Sequence, residues 1–323
     1  MPQEYTEKGE RSVSEQQLSD KNSNSYTLVF ITVLSIIAAI ILSLLASVLE
    51  APKVVAKDLD RSRQMMIAAN ILDREGSFLI DDGKGKPKKA RLENGKLVAK
   101  SVDNIATQEQ LLGIYKDRLQ PLLVDSAGKL TTFEAAHINE QEYVSAHRKM
   151  GYYKQPLKLI YKILPQEKNN SDKELYANAA GWVIPVNGFG LWDAIYGYLA
   201  IASDGITVLG MTWYDHKETP GLGANIADAY WQEFFPGKKI FQQDASGNID
   251  LNTAPLGITV VRGKVSEVYG SSSKANSAID GMAGATLTGN GVTDAYTDVL
   301  KAYRPFLKHV NASYSTNKKE ATS

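Results

Sequence analysis

The longest apolar stretch of the chain lies close to its start. Residues 26–49 read YTLVFITVLSIIAAIILSLLASVL and contain no charged residue. A helix of this length rises about 36 Å, which is enough to cross a hydrocarbon core of about 30 Å with some tilt. The apolar run is longer than the roughly 7–15 residues of a cleaved signal peptide. It therefore predicts a single transmembrane helix, preceded by a polar and flexible tail over residues 1–25.

Residues 50–180 show shorter patterns of hydrophobic and polar positions. They predict an amphipathic helix over 56–72, short helices over 107–119 and 143–150, and a strand over 157–164. No motif in these patterns points to catalytic chemistry. We expect a membrane-proximal α/β region that sizes or docks the domain after it.

From Gly181 the pattern changes to apolar, β-branched and aromatic runs. These runs predict strands over 182–186, 196–203, 206–214 and 258–265. The pair Asp204-Gly205 separates two of them, as is typical of a hairpin. Residues 292–303 carry apolar side chains at helical spacing, which predicts a helix that ends before Pro305.

Together these elements predict an α+β fold. We expect a domain of antiparallel or mixed sheet with packed helices over residues 181–307, preceded by the single transmembrane helix. Residues 308–323 are predicted to form a flexible C-terminal tail.

Composition narrows the possible chemistry. The chain has 36 Lys and Arg residues against 36 Asp and Glu residues, so its net charge gives no indication of a nucleic-acid partner. Cysteine is absent, which excludes disulfides and cysteine-ligated iron–sulfur clusters. The four histidines show no ligand-like spacing, and we predict no metal site built by the protein.

A glycine-rich segment, DGMAGATLTGNG over residues 280–291, opens directly onto the predicted C-terminal helix. Glycines permit tight turns and close approach of a ligand, and a helix N-terminus offers N–H groups to an anion. The hydroxyls of Thr286 and Thr288 lie within the segment. It predicts a phosphate-binding loop with a hydroxyl close enough to be esterified. The alternative is a glycine-rich turn that only begins a helix.

The first part of this segment, DGMAGAT, resembles the flavinylation motif Asp-x-x-(Ser/Thr)-Gly-Ala-(Ser/Thr), in which the last residue carries FMN as a phosphoester. It departs from that motif at Ala283, where Ser or Thr is usual. Two earlier blocks, VNGFGLW over residues 186–192 and HKETPGLG over 216–223, complete the resemblance. The three blocks, in this order, resemble the covalent FMN subunit of the sodium-translocating NADH:quinone reductase.

The resemblance implies a covalent FMN on Thr286, with neighbouring residues forming the attachment loop: Asp280, Gly284, Ala285, Leu287 and Thr288. For Thr288 we expect a supporting role in the loop or a cap on the helix. A second group would flank the isoalloxazine ring, and part of it fits a type II turn: Glu218, Thr219, Gly221, Leu222 and Gly223. Trp192 would line the same cleft. Core packing is the alternative for Trp192, and capping or solvating its turn is the alternative for Glu218.

The activity implied is electron relay, not complete catalysis by this chain. Another subunit oxidises NADH, the flavin passes electrons between neighbouring carriers toward ubiquinone, and the assembly exports sodium. The implied partners are the other subunits and, transiently, a flavin transferase that uses FAD and magnesium. No nucleic acid is expected to bind.

Two alternatives are open. The flavin subunit of the ferredoxin-dependent relative shares the Thr286 motif and the Thr-Pro-Gly-Leu-Gly block, but it lacks the Gly-Phe-Gly-Leu-Trp-like block. A membrane-anchored assembly module without flavin is favoured only by Ala283.

Orientation in the membrane gives conflicting indications. Basic residues are slightly more numerous after the apolar stretch than before it, which favours a cytoplasmic location for the C-terminal side. The family resemblance implies the opposite: the helix spans the cell inner membrane, with a short tail on the cytoplasmic side and the flavin domain on the extracytoplasmic side. We expect the second arrangement, because long domains cross largely regardless of local charge.

Overall fold

The computed structural model describes residues 24–80, 87–100, 105–166 and 175–320. Most of the tail predicted over residues 1–25 lies outside these ranges. The chain divides into two compact units, one ending at Asp58 and the other beginning at Leu59.

Helix α1 spans Asn24–Ala68 and continues through Pro52. It joins the two helices that the sequence predicted separately, because an interior proline can kink a helix without ending it. Within the described residues, Asn24–Glu50 is the one helical stretch long and apolar enough to cross a membrane. The far end of α1 is different: Met65, Met66 and Ala68 are buried in a core.

The middle of the chain forms short elements. Strands β1 (Phe78–Ile80), β2 (Lys88–Glu93) and β3 (Lys96–Ala99) make an antiparallel sheet. They are followed by α2 (Gln108–Arg118), β4 (Leu119–Val124), β5 (Leu130–Thr131), α3 (Glu140–His147) and β6 (Lys158–Ile163). Both predicted short helices and the strand after them are confirmed, with ends shifted by a few residues.

A six-stranded sheet organises the larger unit. Strands β7 (Gly181–Phe189), β8 (Ala194–Ala202) and β9 (Val208–Asp215) extend it in the order β5-β4-β6-β7-β8-β9, with every pair antiparallel. Because β6 pairs with β7, the predicted boundary between residues 180 and 181 lies inside one sheet. The Asp204-Gly205 hairpin is confirmed: Gly205 has a φ of +70° and the Asp204 carboxylate accepts the N–H of Thr207 at 2.8 Å.

The elements after β9 are short until the last helix. They are α4 (Ala229–Gln232), β10 (Thr259–Val260), α5 (Val265–Val268), β11 (Ala278–Ile279) and α6 (Thr286–Glu320). The predicted strand over 258–265 is reduced to two residues, since the chain turns at Gly263 with a φ of +88° and then starts α5.

Helix α6 does not end before Pro305, so the predicted end of this helix is wrong. The helix continues because Phe306, Leu307 and Val310 are buried in the core beyond the proline. The tail predicted over 308–323 is accordingly helical as far as Glu320, and residues 321–323 lie outside the described ranges.

Each face of the six-stranded sheet covers a core. One core contains Trp182, Ile184 and Trp213 and is packed by α6 through Tyr296 and Tyr303. The other includes Val183 and Tyr198 from the sheet, Met66 from α1 and Leu111 from α2. The predicted α+β class is confirmed, and the first core fixes where the N-terminus of α6 lies.

Candidate functional site

A cavity of about 520 Å³ lies beside the glycine-rich loop. Residues 280–286 form a continuous part of its wall, and the remainder includes Tyr230, Trp231, Phe234 and residues 260–264. This volume is typical of sites that bind small molecules. The loop that the sequence selected therefore borders a real concavity.

Thr286 is exposed at the first residue of α6. The carbonyl of Ala285 accepts the N–H of Gly289 at 2.9 Å, so Ala285 occupies the N-cap position. Gly284 has a φ of +74°, which a residue with a side chain rarely adopts. Among the described residues, no side-chain oxygen accepts the N–H groups of Thr286, Leu287 or Thr288. The first turn of α6 thus presents N–H groups and the positive end of its dipole at the Thr286 hydroxyl.

Glu218 lies in the segment after β9, well before α6 in sequence, and its carboxylate is buried. The residue is only 5% exposed, and Oε1 accepts the backbone N–H of Leu191 at 2.9 Å and of Trp192 at 3.1 Å. Oε2 accepts the hydroxyl of Thr288, which is buried. Glu218 therefore ties the β7–β8 loop to the first turn of α6. This differs from both sequence interpretations of Glu218, and it shows that Thr288 is not the helix cap.

Two glycines make room for this buried carboxylate. A Cβ atom added to Gly223 would lie 2.5 Å from Glu218 Oε2 and would also clash with the Thr288 hydroxyl. A Cβ atom on Gly190 would clash with Glu218 Oε1. One glycine from each upstream sequence block, Gly190 and Gly223, is thus explained by close approach to a single carboxylate.

The turn from Thr219 to Leu222 has the predicted type II features. The N–H of Leu222 donates to the carbonyl of Thr219 at 3.1 Å, and Gly221 has a φ of +74°. The side chain of Leu222 lies against Gly284, since a Cβ atom there would be 2.8 Å from Leu222 Cδ2. The turn therefore contacts the attachment loop directly.

Trp192 is 68% exposed, so core packing is the wrong interpretation for this side chain. Its indole N–H donates to the Thr219 hydroxyl at 3.0 Å, which holds the ring in place at the surface. Other large apolar side chains at the same junction are also exposed. We call this set the apolar rim: Phe189, Leu191, Trp192, Leu222 and Leu287.

The predicted site residues separate into two groups. Asp280, Gly284, Ala285, Thr286 and Gly221 line the cavity. The remainder lie on or beneath the apolar rim: Trp192, Glu218, Thr219, Leu222, Gly223, Leu287 and Thr288. Within the cavity, Asp280 holds its turn: Oδ1 accepts the N–H of Val265 at 2.8 Å and its carbonyl accepts the Trp231 indole N–H at 3.1 Å.

The cavity-wall residues that sequence reasoning missed include two aromatic side chains and two cations: Tyr230, Phe234, Arg262 and Lys264. The sequence contains a pattern that could have indicated the two aromatic residues and another that could have indicated the two cations. Tyr230 and Phe234 are four residues apart, and the two cations flank Gly263 at the end of a predicted strand.

Comparison with known proteins assigns the domain. Residues 190–301 match the family of FMN-binding domains, a range that contains the cavity wall and most of the apolar rim. The fold and the site thus define an FMN-binding domain that follows an apolar N-terminal helix.

Relatives of similar length identify the family more narrowly. The NqrC subunit of the Na(+)-translocating NADH-quinone reductase of Chlamydia caviae is 41% identical over 305 residues, covering 91% of this chain and 95% of that protein. The same subunit of Chlamydia muridarum is 40% identical, with 88% and 92% covered. The chain belongs to the NqrC family of Na(+)-translocating NADH-quinone reductase subunits, as the sequence resemblance predicted.

A solved structure supports the fold. The crystal structure of Shewanella oneidensis NqrC matches with a TM-score of 0.50 at 22% identity, covering 80% of this chain and 99% of that one. Family membership also decides between the reductase subunit and its ferredoxin-dependent relative, in favour of the former.

Proposed function

We propose that this chain carries FMN as a phosphoester on Thr286 and relays electrons within the membrane-bound reductase. The observation that carries the proposal is the position of the Thr286 hydroxyl. It is exposed at the first residue of α6, borders the cavity, and lies beside first-turn N–H groups that no described side chain caps. When bound, FMN supplies the redox chemistry, and the protein supplies orientation and solvent exclusion.

The surrounding residues fit FMN. A phosphate on Thr286 is favoured by the helix N-terminus and by the cations Arg262 and Lys264 of the cavity wall. The flat apolar ring needs aromatic or aliphatic contacts, and the apolar rim supplies Trp192 and Leu222 beside Thr219. Glu218 and Gly223 act beneath this surface by fixing its position.

Attachment requires a catalyst from outside. A threonine hydroxyl is a poor nucleophile without a base, and no described residue forms a hydrogen bond with Thr286 Oγ1. We infer that the base comes from a flavin transferase that uses FAD and magnesium. The exposure of Thr286 supports this, because a second protein has to reach it.

The chain acts as a relay component. Residues 26–49 of α1 contain no ionisable side chain other than the phenol of Tyr26, and the hydroxyl of Thr32 is used internally, donating to the carbonyl of Leu28 at 2.8 Å. Ion pathways generally use charged or readily ionised groups, so we assign sodium transport to other subunits. Electrons would enter and leave where the apolar rim meets those subunits.

The family suggests that α1 anchors the chain in the cell inner membrane with the flavin domain on the extracytoplasmic side. Alkaline phosphatase fused after Ser323 should be active in whole cells, because this enzyme folds only outside the cytoplasm. An inactive fusion, together with an active cytoplasmic reporter at the same position, would reverse the topology.

The covalent link is tested by in-gel flavin fluorescence of the full chain produced with the transferase. Thr286→Ala should abolish the fluorescent band without unfolding the domain, since Thr286 is exposed and makes no described side-chain bond. Thr288→Val is the matched control and should stay fluorescent. A bright band from Thr286→Ala would refute the attachment site. A dark wild-type band would favour the flavin-free assembly module.

A further inference from the structure

Two cations of the cavity wall have no described partner. Arg262 and Lys264 are exposed and line the cavity beside the loop that leads to Thr286. Among the described residues, neither forms an ion pair within 4.0 Å. A single exposed cation without an ion-pair partner is ordinary, but here an Arg and a Lys lie together on the wall of one cavity that also borders a helix N-terminus.

The backbone that carries these cations is fixed against the attachment loop. Strands β10 and β11 pair in parallel, and the N–H of Val261 donates to the carbonyl of Ile279 at 3.0 Å. The N–H of Gly281 then donates to the carbonyl of Gly263 at 2.9 Å. A Cβ atom on Gly281 would clash with the carbonyl of Val261, so the two segments are in close contact. The position of the cations relative to the loop is therefore set by backbone structure.

The acidic residue of the wall does not neutralise them. The carboxylate of Asp280 accepts the N–H of Val265 at 2.8 Å. It also has a separate cation nearby: burial lowers the pKa of Lys238, and the charge of Asp280 acts in the opposite direction. The ammonium of Lys238 is itself held by the carbonyl of Ala275 at 3.0 Å. Arg262 and Lys264 thus leave this wall with positive charge that is available to an anion.

Resting on the proposed attachment at Thr286, we propose that Arg262 and Lys264 form a phosphate subsite for the flavin. The guanidinium of Arg262 offers a planar pair of donors to two phosphate oxygens, and Lys264 adds a point charge. When the transferase moves FMN from FAD to Thr286, the Oγ–P bond forms, the P–O–P bond of FAD breaks, AMP leaves and the transferase's base takes the hydroxyl proton. The subsite contacts the flavin phosphate during this transfer and continues to contact the phosphodiester afterwards. It therefore makes this domain select a phosphorylated flavin over riboflavin.

The test compares two ligands that differ only in the phosphate. Full chain made without the transferase is purified in detergent, and FMN and riboflavin are titrated separately by flavin fluorescence. The Arg262→Gln/Lys264→Gln variant should bind FMN at least about tenfold more weakly, because it loses the charge-assisted hydrogen bonds to the phosphate. Riboflavin affinity should not change. Added salt should weaken FMN binding to the wild type more than to the Arg262→Gln/Lys264→Gln variant.

The matched control removes two cations elsewhere in the same unit. Lys301→Gln/Lys308→Gln changes exposed side chains of α6 outside the cavity and should leave both affinities unaltered. An equal loss of FMN and riboflavin in the Arg262→Gln/Lys264→Gln variant would mean structural damage and would overturn the subsite. An unchanged FMN affinity would do the same.

A second measurement covers the case in which free flavin binds too weakly to titrate. In flavin-loaded protein, the ³¹P resonance of the phosphodiester should shift in Arg262→Gln/Lys264→Gln and not in Lys301→Gln/Lys308→Gln. An unmoved resonance overturns the proposal. An error in the proposed attachment site is distinguishable from an error in the subsite. It would appear as flavin labelling of Thr286→Ala, a result that does not depend on Arg262 or Lys264.

Discussion

Helices α2 and α6 begin in opposite ways, although the first-turn N–H groups of both helices lack acceptors within the helix. At the start of α2, the Thr107 hydroxyl accepts the N–H of Gln110 at 3.3 Å, and the Gln110 side chain accepts the N–H of Thr107 at 3.1 Å. This is a complete capping box. At the start of α6, Ala285 stands at the cap position and has no side-chain acceptor to offer.

The buried hydroxyl in the first turn of α6 does not replace the missing cap. Thr288 is within the first turn, and its hydroxyl donates to Glu218 instead of accepting from the helix. A helix N-terminus without a cap is less stable by about 1 kcal/mol. The first-turn N–H groups of α6 are therefore open to an acceptor from outside the chain, which the proposed phosphate on Thr286 would supply. The predictions below change the N-terminus of α2 or the N-terminus of α6.

The largest effect is expected from removing the carboxylate that holds the first turn of α6. Glu218→Ala leaves two backbone N–H groups and the buried Thr288 hydroxyl without an acceptor. At about 1–3 kcal/mol for each unsatisfied group, with partial rescue by water, the free energy of unfolding should fall by roughly 3–5 kcal/mol. Urea denaturation of the full chain measures this.

Glu267→Ala is the matched control, since Glu267 is an exposed acid on α5 and should cost no more than about 0.5 kcal/mol. Equal denaturation midpoints for the two variants would show that the Glu218 carboxylate is not required to fix the start of α6.

A smaller loss is expected from Thr288→Val, which keeps the side-chain volume and removes the hydroxyl. Glu218 Oε2 then lacks its described donor, which should cost about 1–2 kcal/mol. Flavin labelling should persist, because the hydroxyl at Thr286 is untouched. Loss of labelling with unchanged stability would instead place Thr288 in contact with the cofactor.

The difference between the two helices also shows what sequence can predict. Local signals are reliable here for the Asp204-Gly205 hairpin and the Gly221 turn, which depend on residues close in sequence. The last helix was predicted over 292–303, but it already begins at Thr286, so part of the predicted loop is helical. The site loop could be selected because glycines, a hydroxyl and the start of an apolar period are adjacent.

Features that depend on distant partners were missed or misassigned. The inward turn of Glu218 depends on Thr288, which lies 70 residues later. The path of α6 through Pro305 depends on burial of Phe306 and Val310 against a sheet assembled from strands far apart in sequence. Arg262 and Lys264 are placed beside the loop by the pairing of β10 with β11. Strands of two residues leave no pattern in the sequence from which this pairing could be predicted. Sequence spacing carries no information on such contacts.

The capped helix provides the next test. Thr107→Ala should remove the hydroxyl side of the α2 capping box and lower the free energy of unfolding by about 1 kcal/mol. Flavin labelling and FMN affinity should stay at wild-type values, because α2 contributes no residue to the cavity wall. A change in FMN affinity would mean that the two helix ends are coupled through the core.

The smallest and most discriminating change is Ala285→Ser, which gives α6 the kind of cap that α2 has. Ala285 is 5% exposed, so the new hydroxyl must find a partner, and the N–H groups of Leu287 and Thr288 are within the range of an N-cap side chain. Flavin-free protein should become more stable by about 0.5–1 kcal/mol in thermal or urea unfolding. FMN affinity should fall in parallel, because the added oxygen competes with phosphate for the same donors.

Ala283→Ser is the matched control: it adds the same hydroxyl at an exposed position outside the helix cap and should leave stability unchanged. A stabilised Ala285→Ser protein with undiminished FMN affinity would show that the first-turn N–H groups do not bind the flavin phosphate.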